Sequence, residues 1–317
     1  MTFNIKIIEN RKKYFMISAI VIAVGVLGMI VNIAMGNGAF NLDVEFTGGT
    51  EITVDVTSDF EVADIESIVM EATGIVPSQL QRVTGTNQVS IRMHELAVEQ
   101  RSALIEAMVA AYGLNAEEDI SMSDVSATIS GEMQRSAIIA IISACVAMLL
   151  YIAVRFRDFK IGMSMIISSV HDVIIVLLCY SILQISLSYS FIAAMLTVVG
   201  FSINATIIIF DRFRENKRLT AERMKENLMM SRKSIKEPTV EEQLDLSINQ
   251  TLLRCAYTAL FVLVVTLCLY VLGVPAIRDF ILPIIVATIC GTYSSIFIAG
   301  PIYYMMNQRE AAKAAEA

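Results

Sequence analysis

Six stretches of this chain are apolar over roughly the 20 residues that a helix needs to cross a bilayer: about 14–35, 136–154, 161–183, 189–210, 254–272 and 280–306. The hundred residues between the first two follow other periods. VEFTGGTEITVDV alternates as a strand does, and FEVADIESIVMEA repeats at helical spacing with its acids on one face. QLQRVTGTNQVSIRM predicts a hairpin turning around Gly85 to Asn87. LAVEQRSALIEAMVAAYG predicts a second amphipathic helix closed by Gly113, and a short strand near Asp119 to Ala127 leads into the second apolar stretch.

The order β-α-β-β-α-β is that of a ferredoxin-like sheet carrying two helices. The expected fold is therefore an α-helical membrane protein with six transmembrane helices and one extracytoplasmic ferredoxin-like α+β domain between helices 1 and 2. Composition agrees: 56% of the 317 residues are hydrophobic, against ~45–50% in an ordinary soluble domain. The first span follows Arg11, Lys12 and Lys13. Its apolar run, Tyr14 to Met35, is longer than the ~7–15 residues of a cleaved leader, so it reads as an anchor.

Charge then orients the spans. Residues 36–135 hold four Lys/Arg against seventeen Asp/Glu, whereas 211–250 hold nine Lys/Arg and eight acids. Basic connections stay inside, so the amino terminus, the RFRDFK turn at 155–160 and the 211–250 loop are expected in the cytoplasm. The uncharged QISLS (184–188) and the balanced GVPAIRD (273–279) suit the opposite face. The predicted layout is a cytoplasmic N-terminus (1–13), a first span (14–35) and an extracytoplasmic domain (36–135). A five-helix bundle (136–306) with its cytoplasmic loop 211–250 follows, then a cytoplasmic tail (307–317).

The five cysteines lie in apolar runs and read as small packing residues, with no disulfide framework, metal cluster or cofactor site indicated. Ser136, Ala140 and Ala144, with Ser143 and Ala147 one position offset, give span two a small-residue face suited to close packing in lipid. The mixed charges of 216–246 predict a solvated helical loop broken at Pro238, not a nucleic-acid patch.

Ionisable groups inside spans cost about 2.5–3.5 kcal/mol on insertion scales and by default mark ion pathways. Span three carries Ser164, Ser168, His171 and Asp172 as an inward stripe. It reads as a polar clasp between helices, as an ion-transfer site, or as a wetted edge. His171 and Asp172 point about 100° apart on a helix, so each is expected to bond another helix and not its neighbour. Arg254, just inside span five after Asn249 and Gln250, either snorkels to the surface or faces a polar cavity. Asp211 and Arg212 are expected to end span four. Asn204 stands alone as a strongly polar side chain at that span's centre.

Four stretches together, DVEFTGGT (43–50, with Phe46, Gly48 and Gly49), HDV (171–173), VGFSIN to IIIFDRFREN (199–216) and SINQTLLR (247–254), resemble the SecF family. These are the smaller membrane subunits of the SecD–SecF accessory to bacterial protein export, related to resistance-nodulation-division transporters. The resemblance implies a six-span subunit of the plasma membrane that, with SecD, uses the ion-motive force to help draw preproteins from SecYEG, with YajC and YidC as further candidate partners. In the family an aspartate commonly follows the span-four asparagine, near the span-five arginine, and is thought to carry the proton; here that position is Ala205. Four readings stay open. SecD holds the acid; Asp172 with His171 takes over; sodium is held by Asn204, Thr206 and Ser202; or the alanine is an introduced change. A second departure, SATISGE (126–132) in place of a Gly-Pro step, is expected to loosen the hinge into span two. No Ser-His dyad, paired acids or metal motif in the spans suggests an enzyme. A structural subunit without coupling and a small-molecule or lipid exporter are the alternatives.

Overall fold

The computed structural model describes residues 5–36, 38–56, 60–82, 87–156, 158–229, 238–272 and 275–316. The chain divides into two compact units, Leu42–Ala140 and Met1–Asn41 with Ile141–Ala317.

In the smaller unit, β1 (Gly49–Asp55), α3 (Val62–Thr73), β2 (Gln79–Arg82), β3 (Gln88–Met93), α4 (Val98–Tyr112) and β4 (Ile120–Val125) follow in the predicted order. The sheet runs β2-β3-β1-β4 with every neighbouring pair antiparallel, which is the ferredoxin-like topology. Alternation sets the register: Ile52 on β1 stands opposite Ile91 on β3 and Met122 on β4. Ile52, Val54, Val89 and Ile91 meet Ile65 and Val69 of α3 and Leu104 and Met108 of α4 in one core. Gly74 and Gly113 close the two helices in the left-handed conformation. The predicted hairpin turn falls at 83–86, outside the described residues, with Asn87 just beyond it.

Two boundaries differ from expectation. Val44–Thr47 is a helical turn, α2, and not strand, because the Asp43 side chain caps it by accepting from the Glu45 N–H. SATISGE is helical from its second residue, as the first turns of α5 (Ala127–Phe156).

The larger unit holds the remaining long helices: α1 (Arg11–Ala34), the rest of α5, α6 (Phe159–Leu183), α7 (Tyr189–Met229), α8 (Val240–Leu272) and α9 (Pro275–Ser294). After α9 a π-helical turn, Ser295–Ala299, leads into α10 (Gly300–Glu316). Six candidate membrane spans result, as the sequence predicts. Helices α6, α7 and the α9–α10 rod form the centre. Helix α1 lies on α6, where a Cβ on Gly25 would come 2.7 Å from Leu178 and one on Gly28 2.6 Å from Ile182. Asn32 of α1 donates to the Ser181 carbonyl at 2.7 Å.

The 211–250 region is less of a loop than predicted. Helix α7 continues through Asp211 and Arg212 to Met229, so these residues do not end it. Helix α8 begins at Val240 behind a capping box, in which Thr239 N–H donates to Glu242 (2.8 Å) and Glu242 N–H to the Thr239 hydroxyl (3.2 Å). The proposed break thus sits at a helix start, and 230–237 lie outside the described residues. The small-residue face of α5 is only half used: Ala140 and Ala144 are half-buried, while Ser136, Ser143 and Ala147 are exposed. Ile152 and Phe156 near its C-terminal end pack into the bundle core.

Candidate functional site

The polar stripe of α6 builds the most enclosed group of hydrogen bonds in the bundle. Asp172 is 1% exposed. Its Oδ2 accepts from the Ser202 hydroxyl of α7 at 2.6 Å and from the Ser294 hydroxyl of α9 at 2.7 Å. Its Oδ1 lies 3.1 Å from His171 Nδ1, and His171 Nε2 lies 2.7 Å from the Ser18 hydroxyl of α1. Three helices therefore meet at one carboxyl, and α1 joins them through His171. The expectation that His171 and Asp172 do not bond each other is overturned. Their Cβ directions diverge, but Nδ1 is near enough to the imidazole's stem to turn back toward the neighbouring carboxyl. The expectation of partners on other helices is met as well.

Small size at one position allows the meeting. A Cβ on Gly291 would stand 3.1 Å from Ser202 and 3.5 Å from Asp172 Oδ2, so a methyl would already be tight there and a bulky side chain would push α9 away. Beyond this lies a hydroxyl pair: Thr206 donates to Ser295 at 2.9 Å, and Ser295 donates to the Ser202 carbonyl at 3.2 Å. Of the rest of the stripe, Ser164 bonds its own helix at the Ile161 carbonyl, and the buried Ser168 hydroxyl has no hydrogen-bond partner among the described residues.

Asn204, Ala205 and Arg254 occupy different ground. Ser202 and Thr206 are one turn apart and face inward; Asn204, midway between them, must face outward, and it is exposed together with Gly200. Asn204 and Gly200 share a face, but not one that packs within this chain. Arg254 is also exposed, on α8, and Ala205 is half-buried. The structure thus separates the ion-relay candidates: Asp172 and His171 lie at the centre, Asn204 and Arg254 on the outside.

The other motif residues tie helices to one another and to the first described residues. Gln250 accepts from Arg212 Nε at 2.6 Å and from Asn216 at 3.0 Å, and Asn216 also donates to Ser247 at 2.8 Å. Asp211 pairs with Arg155 of α5 at 2.5 Å. Asn249 bonds both backbone groups of Ile5, accepting from its N–H (3.0 Å) and donating to its carbonyl (2.9 Å). Asp245 accepts the N–H groups of Ile7 and Ile8 at 3.0 Å each. The chain's first described residues are therefore clipped to α8, with Ile7 and Ile8 fully buried.

In the smaller unit, the Phe46 carbonyl accepts from Ser130 (2.6 Å) and Gln134 (2.5 Å) at the start of α5. Gly48 and Gly49 have φ of 72° and 123°, and a Cβ on Gly49 would stand 2.4 Å from the Met93 carbonyl oxygen, so no other residue fits there.

Sequence reasoning missed Ser18, Ser294, Gly291, Asp245 and Asn216. Ser18 had a signal, as a hydroxyl inside the apolar run ISAIVIAV. Ser294 had little, since its role depends on which of two adjacent serines the π turn aims at α6.

The model of the family "Protein export membrane protein SecD/SecF, C-terminal" matches residues 104–309. The protein translocase subunit SecF of Alicyclobacillus acidocaldarius is 31% identical over 314 residues, covering 97% of this chain and 94% of that one. The SecF subunit of Haemophilus influenzae is 32% identical, covering 94% and 85%. The crystal structure of SecDF from Thermus thermophilus, described as a translocon-associated membrane protein, superposes with a TM-score of 0.79 at 31% identity over 97% of this chain. The chain spans only 39% of that longer protein. With six apolar helices and translocase subunits as its relatives, this multi-pass membrane protein, a transport subunit and not an enzyme, belongs to the SecD/SecF family of protein-export membrane proteins.

Proposed function

We propose that the chain works as the SecF-type half of a SecD–SecF pair, assisting SecYEG-dependent export across the cytoplasmic membrane by means of the ion-motive force. The observation that carries this reading is the outward polar face. Asn204 and Arg254 are exposed on α7 and α8 within membrane-length apolar helices, and an amide and a guanidinium facing acyl chains would each be costly. A second membrane subunit covering that face removes the cost. The fused SecDF relative, more than twice this chain's length by coverage, suggests a SecD half as the occupant. SecYEG would supply the preprotein, and YajC and YidC are further candidate neighbours. One charge crossing 100 mV is worth about 2.3 kcal/mol, enough for repeated cycles to bias a sliding chain outward.

The acidic smaller unit would stand outside the membrane, with both termini and the α7–α8 extensions in the cytoplasm. A second reading, a structural subunit without coupling of its own, is favoured by Ala205 alone. Vesicles containing SecYEG, the SecD partner and this chain test the first reading: preprotein export should rise with an imposed gradient and fall when an ionophore collapses it. Equal export in both states would support the structural reading. Labelling of a cysteine placed near Asp43 from the outer side only checks the orientation.

A further inference from the structure

We infer that Asp172, bonded to His171 and to the hydroxyls of Ser202 and Ser294, is the proton-carrying residue of this chain, so that the alanine at 205 does not deprive it of one. The inference rests on the ion-coupled reading for its biological meaning, but its chemistry is a property of the chain by itself.

The groups that face Asp172 are few. Its own helix supplies His171; α9 presents Cys290 and, farther along, Tyr293; α7 and α1 present hydroxyls. Among the described residues no lysine or arginine bonds it. A bare carboxylate taken out of water costs several kcal/mol, and three donors return only part of that. One proton held by the Asp172–His171 pair, on either member, brings the pair to zero net charge. A single ionisable unit that gains and loses one proton is what coupling to a proton gradient requires.

A metal cation fits the site less well. Oδ2 already holds two hydroxyls at 2.6 and 2.7 Å, whereas a hard cation asks for roughly six or more oxygen ligands. A proton needs no volume.

The hydrogen bonds also tie the acid to α1 and give the proton an effect. From Asp172 the thread runs through His171 to Ser18. Tyr293, which interacts with Ser18, donates at 2.9 Å to the carbonyl of Tyr14, near the start of α1. At the other end, Ser294 has two acceptors within reach, Asp172 Oδ2 at 2.7 Å and the Gly291 carbonyl of its own helix at 3.2 Å. As a carboxylate, Asp172 accepts from both serines. Once Oδ2 carries the proton it donates instead, and Ser294 can turn its hydroxyl to Gly291. Loading the proton thus reverses the bond between α6 and α9, Ser294 Oγ accepting from the carboxyl while it donates to Gly291, and unloading restores the first direction.

The test uses the purified full chain in lipid and infrared difference spectra between acidic and basic buffer. A band from a buried protonated carboxyl should grow on acidification, be absent in Asp172→Asn, and shift in frequency but persist in Ser294→Ala. Should Asp172→Asn not fold, the Ser294→Ala shift decides alone. A band unchanged in both variants overturns the inference, as does one that responds to sodium concentration at fixed pH, which would assign the site to that cation. In the reconstituted complex, Asp172→Asn should lose the gradient-driven share of export while still copurifying with the SecD partner; undiminished gradient-driven export would also overturn it. If wild-type export shows no gradient dependence, the coupling reading fails while the infrared result still judges the site.

Discussion

Spans three, four and six differ from spans one, two and five in a direction opposite to that of a water-soluble protein. The first three have 44–50% of their most apolar stretch buried, the others 11%, yet the less buried three are the more apolar. Lipid tails are as apolar as leucine, so hydrophobicity gives no reason to hide a helix; close packing and hydrogen bonds between helices do. The central spans carry what such contacts need: Ser164, Ser168 and Asp172 on α6, Ser202 and Thr206 on α7, and Gly291, Ser294 and Ser295 on the α9 rod. The outer spans carry Met16, Leu27, Ile138, Leu150, Phe261 and Leu272 on their surfaces.

Substitutions can break or sharpen this contrast, and thermal unfolding of the full chain in detergent would read each one. Gly291→Leu should cost the most, about 3 kcal/mol, because overpacking a closed core forces backbone apart. Asp172→Ala removes three contacts between or beside helices; at about 0.6 kcal/mol each in membranes the loss is about 2 kcal/mol. Gln250→Ala, outside the bundle centre, should cost about 1 kcal/mol through the lost Arg212 and Asn216 bonds. Gly200→Leu should change the stability of the isolated chain by less than about 0.5 kcal/mol, since nothing lies within 4 Å of its Cβ position. The same change should weaken copurification with the SecD partner. A large effect of Gly200→Leu on the chain alone would remove the distinction between the two faces.

Much of this was legible in advance. Hydropathy marks six spans because backbone groups in lipid must bond within their own helix, and the period-2 and period-3.6 runs between spans one and two give a sheet whose order the structure bears out. Boundaries were less legible. The apolar run ends at Phe210, but α7 continues to Met229, because a helix stops where its backbone needs and not where its greasy stretch stops. The site was read by half. Asp172 stands out as a buried charge, but its partners Ser202 and Ser294 are 30 and 122 residues away, and a serine in a span looks the same whether it faces a carboxyl or its own carbonyl. Asn204 is the converse case: it is the strongly polar side chain at its span's centre, yet the periodicity relative to Ser202 and Thr206 turns it out.

The π turn at Ser295–Ala299 adds slack to the last span, one more residue than an α-helical turn would hold. At its start two consecutive serines serve two different helices, Ser294 reaching α6 and Ser295 reaching α7. Deleting one residue there would wind the rod back to regular pitch and swing everything after it by about 100°, carrying Tyr303 off the rings of Phe210 and Phe213 against which it now rests. The last span is thus two shafts joined at a fixed angular offset, with the upper one seated on the buried acid and the lower one on an aromatic bearing.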